Sequence, residues 1–312
     1  MGNTFYFDWE ISLISFLQDL LGKNGVRLFS FFSFFGEEIF LVFLIGLFYW
    51  GIDRHKGRVL AMSVLFAGVF NSMIKNIFLR NRPYLVSDEI DLLKPVDPNA
   101  DPMDIAAQGY SFPSGHSANV TAAFTALFLL FRKRGLLVIG VILSLLTGIS
   151  RFVLGAHFPS DVLAGWTCGI LTVLLIHYLQ KRFERKRLYL ILTLICLPGL
   201  FYCRSSDYFS EYGILLGFFA GDLYAERFNG FSYTDNHFYQ IIRTLGGALI
   251  IVGVNALLKV PFDREFLESA ALLPFLFRTF RYFLGTFLAI GIYPYLFSVF
   301  GKKTTDQRSR RG

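Results

Sequence analysis

Three short clusters in this chain combine residue types that bind anions and transfer groups. Lys75 stands near the end of an apolar stretch, in Asn71-Ser72-Met73-Ile74-Lys75-Asn76, and Arg82-Pro83 follows seven residues later. A lysine at the centre of a membrane helix costs about 2.5–3.5 kcal/mol, and less near an edge. Snorkelling accounts for Lys75 taken alone. On a continued helix, however, Lys75 and Arg82 share one face, and Pro83 disfavours helix at Arg82, ending the element there. Two cations converging at a helix end make an anion site.

The second cluster is Gly109-Tyr110-Ser111-Phe112-Pro113-Ser114-Gly115-His116-Ser117. Pro113 suits the first position of a helix, where a missing N–H costs nothing. Ser114 and Gly115 then present backbone N–H groups at the positive end of the helix dipole, which is a phosphate cradle. Gly115 permits close approach of a ligand to the backbone, and His116 is within reach of the same anion. A plain helix start explains Pro113 and Ser114, but not a histidine entering lipid.

The third cluster runs from Ser150 to Asp161 and holds Arg151, Gly155, His157 and Pro159 between. Pro159 can begin a helix with Asp161 in its first turn. His157 precedes Asp161 by four residues, near enough for the carboxylate to accept a ring proton. That bond leaves the other ring nitrogen as a nucleophile. Arg151, across a turn containing Gly155, offers a planar fork to phosphate oxygens. Taken singly, Asp161 is an N-terminal helix carboxylate and Arg151 an interfacial anchor. Charges gathered at one membrane depth mark a site.

The elements that position these clusters are apolar. Of 312 residues, 54% are hydrophobic and 18% aromatic, with mean hydropathy +0.50. Apolar runs recur along the chain, several of them near the ~20 residues that cross a bilayer as helix. The period-2 alternation of a membrane barrel is absent. The reading is an all-α, polytopic transmembrane bundle of about nine spans, near 35–51, 57–79, 114–131, 136–151, 160–180, 188–203, 212–226, 242–259 and 282–300. Region 265–281 is apolar but interrupted by Pro274, Arg278 and Arg281, and is left without a span.

The division expected is an N-terminal interfacial amphipathic segment (1–34), a six-helix core (35–203), and further helices with a basic tail (204–312). Residues 5–22 suit a helix lying on the bilayer surface, or equally one packed at the N-terminus. The net charge of +7 sits in short inter-helix loops, not on a soluble basic face, so nucleic acid is not an expected partner. The richer loops, around Arg54–Arg58, Arg132–Arg134 and Lys181–Arg187 together with the tail Lys302–Arg311, should be cytoplasmic. The N-terminus and all three polar clusters then face outward. Cys168, Cys196 and Cys203 suggest neither a disulfide framework nor a zinc site. His55, His177 and His237 read as interfacial or loop residues. Asp222, Glu226 and Arg227 read as a structural ion pair, and loop 84–112 as a solvated loop or a lid.

Lys75-x6-Arg82-Pro83, Pro113-Ser114-Gly115-His116 and Ser150-Arg151-x5-His157-x3-Asp161 together resemble the three-part signature of the type 2 phosphatidic acid phosphatase family, in order and spacing over residues 75–161. The resemblance implies a metal-independent phosphatase with no cofactor, sharing its phosphate site with vanadium haloperoxidases. It implies His157 as the nucleophile that forms a phosphohistidine, oriented by Asp161. His116 would be the acid for the leaving alcohol and then the base for water. Lys75, Arg82, Ser114, Gly115 and Arg151 would bind phosphate. The expected substrate is a lipid phosphomonoester or diphosphate. The same chemistry on a soluble sugar phosphate, as in glucose 6-phosphatase, and transfer to an acceptor alcohol stand as alternatives.

Overall fold

A computed structural model describes residues 2–95, 101, 103–227 and 234–300. The basic tail and part of loop 84–112, including Asp97, lie outside the described residues. Ten principal helices follow one another: α1 (Asp8–Ser33), α2 (Glu38–Gly46), α3 (Arg54–Phe78), α4 (Gly115–Phe131), α5 (Arg134–Val153), α6 (Pro159–Arg182), α7 (Arg185–Cys196), α8 (Ser206–Arg227), α9 (His237–Leu257) and α10 (Leu272–Phe287). Short helical turns fill the connections, and there is no β-sheet among the described residues. Five helices are long and apolar enough to cross a membrane: α3, α5, α6, α9 and a stretch from Leu272 to Phe297 that starts with α10. Gly25–Gly36 and Glu38–Ile52 pass only as a pair, bent by 44° where they meet, the pattern of a broken span or a re-entrant loop. This is an integral membrane protein with a helical bundle.

Several expected spans differ in extent. The one expected at 282–300 begins at Leu272, because Pro274 falls in the first turn of α10, where its lack of an N–H breaks no helical hydrogen bond. The stretch at 188–203 divides into α7 and a short helix, Gly199–Tyr202, around Pro198. α4 has 17 residues, slightly short of a span, and α8 falls outside the apolar set. α3 stops at Phe78, four residues before Arg82, with Leu79 in a left-handed conformation (φ 52°). The N-terminal strand-like segment takes over there. Asn3 donates to the Leu79 carbonyl at 2.7 Å and accepts from Asn81 N–H at 2.9 Å.

The described chain forms two compact units. The first comprises residues 1–41 and 59–211 and contains every candidate site residue. Within it α4 and α6 touch backbone to backbone. A Cβ at Gly165 would come 2.5 Å from the Ser114 carbonyl oxygen, and one at Gly169 equally close to that of Ala118. Small residues at i and i+4 permit such contact between membrane helices. α1 contributes a buried face through Ile11, Ile14 and Glu10, while Phe7, Trp9 and Phe16 are exposed.

The second unit comprises residues 42–58 and 212–300. Its polar centre is Asp222, fully buried. Arg58 donates to it at 2.7 Å, Arg54 at 3.1 Å and the Tyr49 hydroxyl at 2.8 Å. The ion pair expected at this position therefore exists, with the partners coming from the start of α3 instead of the adjacent Arg227.

Candidate active site

The loop from α5 to α6 is the centre of the site. Gly155, at φ +74°, makes its turn. A Cβ there would strike the Asp91 carbonyl at 2.1 Å, so glycine is required both for conformation and for space. The Arg151 carbonyl accepts from both Ala156 and His157 N–H, at 3.0 and 3.1 Å, which folds the loop back over the end of α5. Pro159 then starts α6. Asp161, two residues later, accepts from Phe158 N–H at 2.8 Å and so caps its own helix.

His157 is buried. Its Nδ1 lies 3.5 Å from Ser111 Oγ and 3.6 Å from Asp161 Oδ2. Both distances are longer than the usual N–H···O range, and Nδ1 faces Ser111 Oγ and Asp161 Oδ2 almost equally. The Ser111 hydroxyl lies beside this pair and donates to Asp161 Oδ2. Burial pushes the His157 imidazole well below the usual histidine range. The neighbouring Arg82, Arg151 and Lys75 push it further, against a smaller opposing effect from a hydrogen bond to the Ser111 backbone. The ring is neutral at pH 7, the form a nucleophile needs.

Three cations surround it. Arg82 sits in extended backbone before Pro83 and is buried. Its Nε, Nη1 and Nη2 donate to the carbonyls of Gly109, Ala156 and Gln108 at 2.8, 2.8 and 2.6 Å. Those bonds fix its position and leave one hydrogen on each terminal nitrogen. Arg151 is buried, with Nη1 donating to Ser33 Oγ at 2.6 Å and Nε unpartnered. Lys75 is half-buried on α3, and its Nζ lies 4.0 Å from where a Gly115 Cβ would stand.

Ser114 is the N-cap of α4, not its first residue. Its Oγ accepts from Ser117 N–H and Oγ–H, and its own N–H is taken by the Asp161 carbonyl at 3.0 Å. The cradle therefore shifts by one residue from that expected. The N–H groups of Gly115 and His116 lie in the first helical turn, where the helix offers no carbonyl to accept them. His116 is within electrostatic reach of His157, Arg151 and Lys75, and Gly36 packs on its backbone. All eight residues singled out from the sequence thus gather around one point of the first unit.

Four further residues complete the site and carried no comparable signal in the sequence. Arg80 is buried over the Phe158 ring and donates to Asp161 Oδ1 at 2.6 Å, Ser160 Oγ at 2.8 Å and Glu10 Oε2 at 3.0 Å. Glu10, 0% exposed, also accepts from Ser160 N–H at 2.9 Å and Phe7 N–H at 3.0 Å. Ser111 and Ser33 are the other two. Glu10 and Ser33 stand at opposite ends of α1, which if straight would separate them by about 35 Å. A break at Gly22 (φ 51°) turns the helix, and both ends reach the Arg151–Asp161 loop.

Loop 84–112 is anchored where it is described. Asp91 exchanges two hydrogen bonds with Gln18, Leu93 N–H donates to the Leu154 carbonyl, and Lys94 pairs with Glu37 at 2.5 Å. His177 lies at the far end of α6 and bonds Gln180. His55 and His237 belong to the second unit. Among the described residues, no group of three His, Cys, Asp or Glu side chains is arranged to hold a metal ion.

Residues 56–185 match the PAP2 superfamily, and residues 209–305 match the PAP2 superfamily phosphatase transmembrane extension. A lipid A 4'-phosphatase of Bacteroides thetaiotaomicron is 30% identical over 178 residues, 50% of this chain and 75% of that protein. An undecaprenyl-diphosphatase of Sulfolobus acidocaldarius is 33% identical over 116 residues, 37% of this chain and 51% of the relative. Phosphatidylglycerophosphatase B of Bacillus subtilis is 34% identical over 87 residues, 25% of this chain and 43% of the relative. The chain thus spans about half the length of the latter two. No solved structure matches the chain significantly.

Proposed function

The chain belongs to the PAP2 superfamily, and from that premise we propose that it is a membrane-embedded phosphatase acting on a lipid phosphomonoester or diphosphate. The observation that carries this reading is the buried, neutral His157. Its Nδ1 is turned to Ser111 and Asp161, and Arg82, Arg151 and Lys75 are gathered about the ring.

In this reading His157 Nε2 attacks phosphorus and the bond to the leaving oxygen breaks. His116 delivers a proton to that oxygen, giving the free alcohol, or the lipid monophosphate when the substrate is a diphosphate. A water then attacks the phosphohistidine as His116 takes its proton; the P–N bond breaks, releasing phosphate and restoring the neutral His157 and the protonated His116. Lys75, Arg82, Arg151 and the N–H groups of Gly115 and His116 hold the phosphoryl oxygens as negative charge develops. Ser114 acts as the cap that sets the direction of these N–H groups. Asp161 faces Nδ1 beside Ser111, and its negative charge favours the imidazolium character that His157 gains on attack.

Substrates of the relatives support a lipid in this site. Their names refer to undecaprenyl diphosphate, phosphatidylglycerophosphate and lipid A, each an amphiphile whose phosphate lies at interface depth. Residues 35–203 serve in this reading as the phosphatase core, 1–34 as an N-terminal segment with an interfacial face, and 204–312 as added helices and a cytoplasmic tail. The loop charges support an outward-facing site.

The test is phosphate release by the purified protein from a panel of lipid monophosphates and diphosphates, with a sugar phosphate for comparison. His157→Ala should abolish release, by at least about a thousandfold, with normal expression in the membrane. An acid-labile phosphorylated enzyme should be trapped in the parent and not in the variant. Surviving activity in His157→Ala would remove His157 as nucleophile; inertness toward every lipid would remove the lipid substrate class.

A further inference from the structure

A second concentration of positive charge, Lys259, Arg278 and Arg281, lies in the second unit and makes no ion pair among the described residues. α9 and the stretch containing α10 run antiparallel. A Cβ on Gly246 would approach the Tyr293 hydroxyl at 2.2 Å, and one on Gly285 the Ile251 carbonyl oxygen at 3.1 Å. One helical turn further in the same register brings Asn255 level with Arg281, and another brings Lys259 level with the turn that carries Arg278.

Arg281 is 2% exposed. Its Nε and Nη1 have no hydrogen-bond partner among the described residues, and neither has Asn255 Oδ1. The Arg281 guanidinium stands over the Phe277 ring, 5.3 Å from its centroid; the ionisable groups that act on it are Arg278, Lys259 and the Tyr282 hydroxyl, and no described carboxylate does so. A guanidinium buried without a counter-ion or hydrogen bonds is costly, and the two neighbouring cations add repulsion. An anion at this place relieves both.

We infer that Arg281, Arg278 and Lys259 form a second anion site, separate from the candidate active site, whose ligand is the phosphate of an anionic membrane lipid. Two planar guanidinium forks and an ammonium suit phosphate oxygens, and the Asn255 carboxamide can turn its NH2 toward the same group. The surroundings favour a phosphate that carries acyl chains. Leu257, Val260, Leu272, Leu273 and Leu276, next to the three cations in sequence, are all exposed, an apolar surface of the kind that faces lipid. The site does not depend on the phosphatase reading, since none of its residues enters that chemistry.

The test uses the full chain in nanodiscs of phosphatidylcholine, of phosphatidylcholine with phosphatidylglycerol, and of phosphatidylcholine with inorganic phosphate added. Phosphatidylglycerol should raise the thermal unfolding midpoint and remain bound through delipidation, while inorganic phosphate should not reproduce the effect. Arg281→Met should lose the rise without lowering the midpoint in phosphatidylcholine alone, because it removes an unpaired charge. The more exposed pair Arg278→Gln/Lys259→Gln should weaken phosphatidylglycerol retention by about tenfold. Lys75→Ala, in the other anion site, should keep the rise. A rise that persists in Arg281→Met and in the double variant overturns the site. A rise lost in Lys75→Ala assigns the lipid to the active site and overturns it equally. An equal rise with inorganic phosphate overturns the lipid as ligand.

Discussion

Arg80 holds the Asp161 carboxylate at 2.6 Å, from within the first sequence cluster, two residues before Arg82. Asp161 is fully buried, and each of its oxygens has a donor: Arg80 on Oδ1, Ser111 and Phe158 N–H on Oδ2. The carboxylate beside His157 is therefore fixed at both oxygens, with Arg80 on the one away from the imidazole. The chain of contacts continues from Arg80 to Glu10 on α1, so the N-terminal helix is tied electrostatically to the site.

Glu10 is accordingly a positioning residue for Asp161. In Glu10→Gln one accepting oxygen becomes an NH2 that faces a donor, either Ser160 N–H or the Phe7 and Arg80 side. The cost should be about 1–3 kcal/mol of stability. Arg80→Gln leaves the Asp161 charge without its partner and should cost about 3–5 kcal/mol. Thermal unfolding checks the first effect of each. Steady-state kinetics should show kcat reduced more than KM is raised, and a purely structural role for Glu10 would leave kcat per folded molecule unchanged.

In the proposed mechanism the depressed His157 sets the acid limb of activity. Its folded pKa lies below the ordinary value of 6.5, so the free enzyme keeps a neutral imidazole as pH falls through 6.5. A pH profile of kcat/KM, which reports the essential acid and base of the free enzyme, should show its acid limb well below 6.5, while loss of the His116 proton sets the alkaline limb. The same shift lowers stability with acid. The unfolded chain takes up the proton first, so stability falls as pH drops below about 6.5, until the folded pKa is reached. An acid limb centred at 6.5 or above would contradict the burial of this ring.

Gly165 is the point where α6 meets the start of α4. A methyl group there would press on the Ser114 carbonyl from 2.5 Å, and backbone on both sides prevents easy relief. Gly165→Ala should therefore cost about 1–3 kcal/mol and, by displacing the N-cap, weaken phosphate binding. Inhibition by vanadate or inorganic phosphate, compared with the parent, measures the second effect. An unchanged inhibition constant would mean that the start of α4 tolerates displacement.

Gly36 makes a similar contact with His116. A Cβ would stand 2.7 Å from His116 Cβ and 2.9 Å from its Cα and carbonyl oxygen. Gly36→Ala should move the proposed general acid and lower kcat by about tenfold or more. The loss should be smaller on substrates with a good leaving group such as p-nitrophenolate, which needs less protonation. An equal loss on both kinds of substrate would point to general distortion instead.

Much of this protein is determined by residue order alone. Apolar runs of near-membrane length made the helical bundle legible, because lipid leaves the backbone few other ways to pair its polar groups. The chemical clusters were legible because cations and imidazoles at membrane depth are costly without a task, and Pro159 marked the start of α6 through its own geometry. Tertiary structure decided what lies far apart in the chain. Glu10 and Arg80 are separated by seventy residues, and each alone resembles an ordinary interfacial charge; only packing of α1 against the α5–α6 loop makes them partners. Likewise, His157 and Asp161 have hydrogen-bonding spacing along the chain, and Ser111 joins the pair from another segment and donates to the carboxylate. Spacing along the chain limits which groups can meet, but the donors that close around a buried carboxylate are selected by the three-dimensional path of the whole unit.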